Sequence, residues 1–134
     1  MSMYLLDTNI CIYAITGRNP IVIDAIKKFP AGNIALSTVT LAELEYGASK
    51  SMQRERNRLM LIVFASPFRI LPFDIGDVEV FGKMRAYLER TGTPIGPYDL
   101  QIAAQAISRN YVLVTNNERE FKRVPGLRIE NWSI

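Results

Sequence analysis

Three acids stand where an apolar stretch gives way to a helix-like one. Asp7 follows Tyr4-Leu5-Leu6 and precedes Thr8-Asn9. Glu43 comes shortly after Ile34-Ala35-Leu36, and Asp99 follows the loop Thr91-Gly92-Thr93-Pro94-Ile95-Gly96-Pro97. A fourth polar cluster, Asn116-Asn117, ends the run Tyr111-Val112-Leu113-Val114-Thr115. Carboxylates gathered in one place repel one another, and at least one stays protonated unless a cation joins them. Oxygen donors without His or Cys suit Mg2+ or Mn2+. Such an ion polarises a phosphoryl oxygen and lowers the pKa of bound water, which is the chemistry of phosphodiester hydrolysis.

Composition narrows the choice in the same direction. The 134 residues include no histidine and one cysteine, Cys11. That excludes Ser-His and Cys-His catalysis, a cysteine zinc cage and an internal disulfide. Cys11 sits in an apolar run and reads as a small buried hydrophobe. An enzyme of this composition works with carboxylates, hydroxyls, lysines, arginines or a hard metal ion. The formal net charge of +3 leans toward an anionic partner such as nucleic acid. A basic surface with no partner is the bland alternative.

Elements must place these residues. Tyr4–Asp7 reads as a buried strand ending on the acid, with a helix at once behind it. Further strands are expected at Ile34–Thr38, Arg69–Phe73, Tyr111–Thr115 and Leu127–Ile129. The third lies near a sheet edge, because Pro72 has no N–H to give. The fourth is apolar on both faces, as a central parallel strand should be. Between them lie helical patterns: Ile21–Phe29, with Ile23, Ile26 and Val22 inward; Leu41–Phe64, broken near Gly47–Ser51; Asp74–Arg90; and Tyr98–Arg109. Leu59–Phe64 is apolar all round, so it belongs to the core or to a subunit interface. Helices alternating with short strands give a three-layer α/β domain with a short, mainly parallel sheet, one domain over residues 1–134. In such sheets ligands sit beyond the carboxyl ends of the strands, the edge where Asp7 and Asn116-Asn117 fall. No signal peptide and no apolar run near ~20 residues is present, so a cytoplasmic protein without membrane contact is expected.

Each polar residue also has a plain structural use. Asp7, Thr8 or Asn9 could simply cap the first helix. Thr40-Leu41-Ala42-Glu43 has the capping-box pattern, and Glu120 could do the same for Asn117. Asp99 could merely favour a helix dipole.

Read together, four stretches resemble the PIN-domain family, and within it the VapC toxins of bacterial toxin–antitoxin pairs. They are Leu5-Leu6-Asp7-Thr8-Asn9; Ser37-Thr38-Val39-Thr40-Leu41-Ala42-Glu43-Leu44-Glu45-Tyr46-Gly47; Gly92-Thr93-Pro94-Ile95-Gly96-Pro97-Tyr98-Asp99; and Val114-Thr115-Asn116-Asn117-Glu118-Arg119-Glu120-Phe121. The last two are specific and resemble the enterobacterial type. The resemblance implies a Mg2+- or Mn2+-dependent endoribonuclease with Asp7, Glu43 and Asp99 as its acidic triad. Asp7 and Asp99 would bind metal most directly, and Glu43 directly or through water. Many PIN domains carry a fourth acid where this chain has Asn117, which puts a second tightly held ion in doubt; Glu120 could lend a carboxylate instead. Thr8, Asn9, Ser37, Thr115 and Asn116 would position water or phosphate. The resemblance further implies initiator tRNA, cut in the anticodon loop, as substrate. It implies a homodimer, a VapB-type antitoxin as inhibitor, and operator DNA reached only through that antitoxin.

Physical reading adds a polyanion surface. Lys50, Arg54 and Arg58 recur at helical spacing, and Arg85, Arg90, Arg119, Lys122 and Arg123 follow the other motifs; phosphate contacts from them would be salt-dependent. Tyr98 could stack a loop base. Two other readings stay open. One is a PIN-like module that grips RNA or a partner without cutting. The other is a haloacid-dehalogenase-like phosphatase, which would want Asp-x-Asp where this chain has Asp7-Thr8-Asn9.

Overall fold

The computed structural model describes residues 2–134. Five short parallel strands form one sheet: β1 (Tyr4–Leu6), β2 (Ile34–Ser37), β3 (Arg69–Leu71), β4 (Val112–Val114) and β5 (Ile129–Glu130), in the order β3-β2-β1-β4-β5. The helices are α1 (Thr8–Thr16), α2 (Pro20–Lys27), α3 (Thr38–Ser49), α4 (Arg54–Ala65), α5 (Ile75–Arg90), α6 (Pro97–Ser108) and α7 (Glu118–Phe121). The parallel three-layer architecture expected from the sequence is the one observed.

Strand periodicity divides the core. Leu5, Ala35 and Leu113 are in register across β1, β2 and β4 and pack with Leu88, Leu100, Ala103, Ala106 and Phe121 from α5, α6 and α7. Their chain neighbours Leu6, Leu36 and Val114 pack with Ile10, Cys11 and Val22 from α1 and α2, and with Trp132. Alternate residues of a strand point to opposite faces, so three-residue strands feed two cores. At the amino end of the strands Tyr4, Phe29 and Trp132 close the second core as an aromatic cluster, with Phe29 and Trp132 stacked at 4.8 Å. The opposite, carboxyl edge carries the acids.

Several local expectations shift. β3 does lie at an edge, but it ends at Leu71, before Pro72. The last strand is Ile129–Glu130, fixed by the Thr115 N–H donating to the Glu130 carbonyl at 2.9 Å. The 41–64 segment is two helices, but the break falls at residues 50–53, leaving Gly47 inside α3. On α2 the fully buried residue is Val22, with Ile23 and Ile26 only half-buried. The apolar run of α4 buries Leu61, whereas Leu59, Ile62 and Val63 are 60%, 50% and 64% exposed. Helix α4 rests one face against α3, and among the described residues no further layer covers its exposed Leu59, Ile62 and Val63.

At the amino end of α5, Asp74 and Asp77 form a reciprocal capping box. Arg109, just past α6, donates to Asp77 at 3.1 Å, to Asp74 at 3.3 Å and to the Pro72 carbonyl at 2.7 Å. Ser108 also donates to Asp77. Burial raises the Asp77 pKa, but these hydrogen bonds and the Arg109 charge more than offset it and hold the carboxyl below its ordinary value. This network joins the amino end of α5 to the carboxyl end of α6.

Candidate active site

Beyond the carboxyl ends of β1, β2 and β4 the chain opens into a cleft of about 770 Å³. Its walls carry Asp7, Thr8 and Asn9 from α1, Glu43 from α3, Tyr98 and Asp99 from α6, and Asn117 before α7. Asp7, Thr8, Asn9, Tyr98, Asp99 and Asn117 are delivered by strand-to-helix or loop-to-helix junctions, and Glu43 by the second turn of α3.

Asp7 is both the cap and the deepest acid. Its N–H extends the β1–β4 ladder by donating to the Val114 carbonyl at 3.0 Å. Its own backbone is still extended, and its carboxylate accepts from the Ile10 N–H at 2.9 Å as the cap of α1. The capping use and the site position are therefore one and the same. The residue is 3% exposed. Burial pushes its pKa up to about 6, helped by the Asp99 and Glu43 charges, against hydrogen bonds from Thr115 and Ile10 that lower it.

Helix α3 begins one turn earlier than the sequence suggests. Ser37, wholly buried, caps it by accepting from the Val39 N–H at 2.9 Å. The Thr40–Glu43 capping box is therefore not formed, because Thr40 is already inside the helix. Glu43 is free of capping duty, and its carboxylate accepts a hydrogen bond from the Thr8 hydroxyl at 2.8 Å.

Asp99 lies in the first turn of α6, which starts at Pro97 after the Gly96 cap. It is half-buried, and its pKa is pushed up to about 6 by burial and by the Glu43 and Glu120 charges. Glu120 stands close enough to act through its charge, but it does not line the cleft; it accepts from the Asn117 side-chain amide at 3.1 Å. Asn117 has no capping hydrogen bond from its side chain, so no capping box forms there.

Three other residues expected at the site lie behind its surface. Ser37 is committed to the α3 cap. Thr115, fully buried, accepts from the Asn117 N–H at 2.9 Å and hydrogen-bonds Asp7. Asn116 turns away and donates to the Tyr13 hydroxyl at 3.1 Å. Conversely, the cleft is lined by Tyr46, Gly47 and Lys50, which share the Glu43 face of α3. Their spacing of three, four and seven residues from Glu43 is the helical signal that marks one face. The basic row expected from Lys50 to Arg58 is interrupted by the α3–α4 break. Lys50 reaches the cleft, whereas Arg58 pairs with Glu45 at 3.2 Å.

The donor set is carboxylate, amide and hydroxyl oxygen only. Burial and neighbouring carboxylate charges raise the pKa values of Asp7 and Asp99, and among the described residues none of the cleft's acids has a Lys or Arg within ion-pair distance. That surplus of buried negative charge fits a hard divalent cation. Among the described residues no three ligating side chains stand close enough to form a complete metal ligand set, so Asp7, Glu43 and Asp99 share one cleft without forming a closed cage.

Comparison with known proteins meets the geometry from outside. The family model described as "PIN domain" matches residues 4–127. The tRNA(fMet)-specific endonuclease VapC of Shigella flexneri is 44% identical over 133 residues, covering 99% of this chain and 100% of that protein. Ribonuclease VapC2 of Rickettsia felis is 44% identical, covering 97% of this chain and 98% of that protein. The DNA-bound VapBC crystal structure from Salmonella typhimurium contains a chain that superposes with a TM-score of 0.93 at 43% identity, covering 98% of this chain and 99% of that one. An acid-lined cleft at the carboxyl edge of a five-stranded parallel sheet, with a family match spanning nearly every element, places this chain in the PIN-domain family.

Proposed function

We propose that the protein is the toxin of a type II toxin–antitoxin pair, a Mg2+- or Mn2+-dependent endoribonuclease that cuts initiator tRNA in the anticodon loop. The observation that carries this is the convergence of Asp7, Glu43 and Asp99 on one cleft with two of their pKa values raised to about 6. Full-length relatives bear the names ribonuclease VapC2 and tRNA(fMet)-specific endonuclease VapC. Asp7 and Asp99 would hold the ion, with Glu43 completing the shell directly or through water. When bound, the ion polarises the scissile phosphoryl oxygen and lowers the pKa of its water. Thr8 fixes the Glu43 carboxylate, Thr115 and the Ile10 N–H fix Asp7, and Asn117 with Glu120 borders the Asp99 side. Tyr98, 59% exposed at the rim, offers a face for an unpaired base.

VapBC of Salmonella typhimurium and VapBC2 of Rickettsia felis have both been solved bound to DNA, which supports a VapB-type antitoxin as partner and operator DNA reached through it. The uncovered apolar side chains of α4 supply surface for protein contact, and a homodimer belongs to this reading. No helix of the described residues is long and apolar enough to cross a membrane.

Incubation with purified total tRNA, followed by end mapping, tests the proposal. One discrete cut in Mg2+ that EDTA abolishes is expected. Stoichiometric RNA binding with no cut in any metal would instead favour a non-catalytic binding module, the reading that Asn117 in place of a fourth acid keeps alive.

A further inference from the structure

We propose that Lys50 is a substrate-positioning residue that holds an RNA phosphate flanking the one being cut, and that Gly47 keeps the wall beside it open for the strand. This rests on the nuclease reading of the same cleft and adds to it a binding register along α3. A polyanion entering a cleft lined by Asp7, Glu43 and Asp99 meets repulsion unless a cation accompanies it. Lys50 is the one Lys or Arg among the described residues that line this cleft.

Its side chain is available for that work. No acid of the described residues lies within ion-pair distance of it, in contrast to Arg58, which is held by Glu45. The ammonium lies 4.7 Å from the centre of the Tyr46 ring, folded back toward the acid end of α3. A cation over an aromatic face is steadied while keeping its N–H donors free. Lys50 closes α3, but it does so through its backbone N–H, which donates to Ala48 and Tyr46. The side chain is not needed for the cap. At 1.5 Å per residue, the Lys50 backbone stands roughly 10 Å along the helix from Glu43, a spacing suited to a phosphate neighbouring the one held at the acids.

Gly47 is a second, independent observation. It lies in the last turn of α3, where glycine weakens a helix relative to alanine. A Cβ built there meets nothing within 4 Å, so neither packing nor backbone geometry requires glycine. Gly47 lies on the wall between Glu43 and Lys50, and it also lines an adjoining hollow of about 280 Å³. A side chain there would stand in the path of a strand running from the acids to Lys50.

The test is steady-state cleavage of purified tRNA by the full chain in Mg2+ at several salt concentrations. Lys50→Gln is expected to raise KM about tenfold with kcat within about twofold. It should also make the dependence of log KM on log salt shallower by roughly 0.7, the loss of one phosphate contact on a single strand. Lys50→Arg should restore most of both. Gly47→Gln is expected to melt at or above the wild-type temperature while raising KM at least tenfold. Wild-type KM and salt slope in Lys50→Gln, with wild type cutting normally, would overturn the Lys50 assignment and leave the nuclease reading intact. Wild-type KM in Gly47→Gln would overturn the role of Gly47. A wild-type protein that cuts no RNA would remove the nuclease reading and this inference with it.

Discussion

The Thr8 hydroxyl donates to the Glu43 carboxylate at 2.8 Å, joining residues 35 apart in sequence. It ties the first turn of α1 to α3 across the mouth of the cleft, and the Thr40 hydroxyl lies 3.1 Å from the same Thr8 oxygen. A carboxylate on a flexible stem is thereby held in one orientation beside Asp7 and Asp99.

Thr8→Val keeps shape and removes the donor. Cleavage of tRNA should fall about tenfold through kcat, in line with the loss of a hydrogen bond to a charged group, while Thr8→Ser should recover most of it. Equal rates in Thr8→Val and wild type would show that Glu43 needs no such restraint.

Asp7→Asn retains an N-cap side chain of equal quality and removes a charge from a position that is 3% exposed. The raised pKa corresponds to on the order of 3 kcal/mol held against the ionised form. Metal-free Asp7→Asn should therefore be more stable than wild type at pH 7.5, by about 1–3 kcal/mol in urea titration, although it should be inactive.

The acids set opposite pH trends. Asp7 and Asp99 have folded pKa values of about 6, above an unfolded value of about 3.9. The folded state thus binds more protons between these limits, and metal-free stability falls as pH rises from about 4 to 6. Asp77 is depressed, so its contribution is present above about pH 4 and is lost on acidification. Calorimetry in EDTA from pH 3 to 8 should show a maximum near pH 4–5, and added Mg2+ should raise the melting temperature above pH 6. A metal-free melting temperature that climbs through pH 4–6 would contradict the raised values.

Arg109→Ala should cost about 3 kcal/mol, because it leaves the buried Asp77 carboxylate without its cation. Activity per folded molecule should change little at low temperature. A loss of activity with unchanged stability would mean that this network serves the site directly.

The strand–helix alternation, the parallel sheet and the three acids were legible because each rests on local pattern: apolar runs of strand length, a capping residue, an acid at the junction. What was not legible rests on contacts between distant segments. Nothing near Ser37 says that it, and not Thr40, caps α3. Packing decides that, by burying Ser37 wholly and leaving Glu43 to Thr8. Thr115 and Asn116 are equally polar in the sequence, but the sheet buries the first behind Asp7 and turns the second to Tyr13. The apolar run of α4 read as core or subunit interface, and periodicity could not choose between them; in the single chain Leu61 is buried while Leu59, Ile62 and Val63 are exposed. Tyr46 and Gly47 could have been found with Glu43 and Lys50, since they repeat on the same helix face, but that required knowing that α3 runs unbroken through Gly47.

The most direct measurement is the rate of tRNA cleavage as Mn2+ is titrated into metal-free wild type, Asp7→Asn and Asp99→Asn at pH 7.5. The expected result is saturable cleavage by wild type and none by either variant at any Mn2+ concentration, with both variants folded. Cleavage by metal-free wild type, or by either variant at the wild-type rate, would contradict the assignment of these two carboxylates to a metal-dependent nuclease.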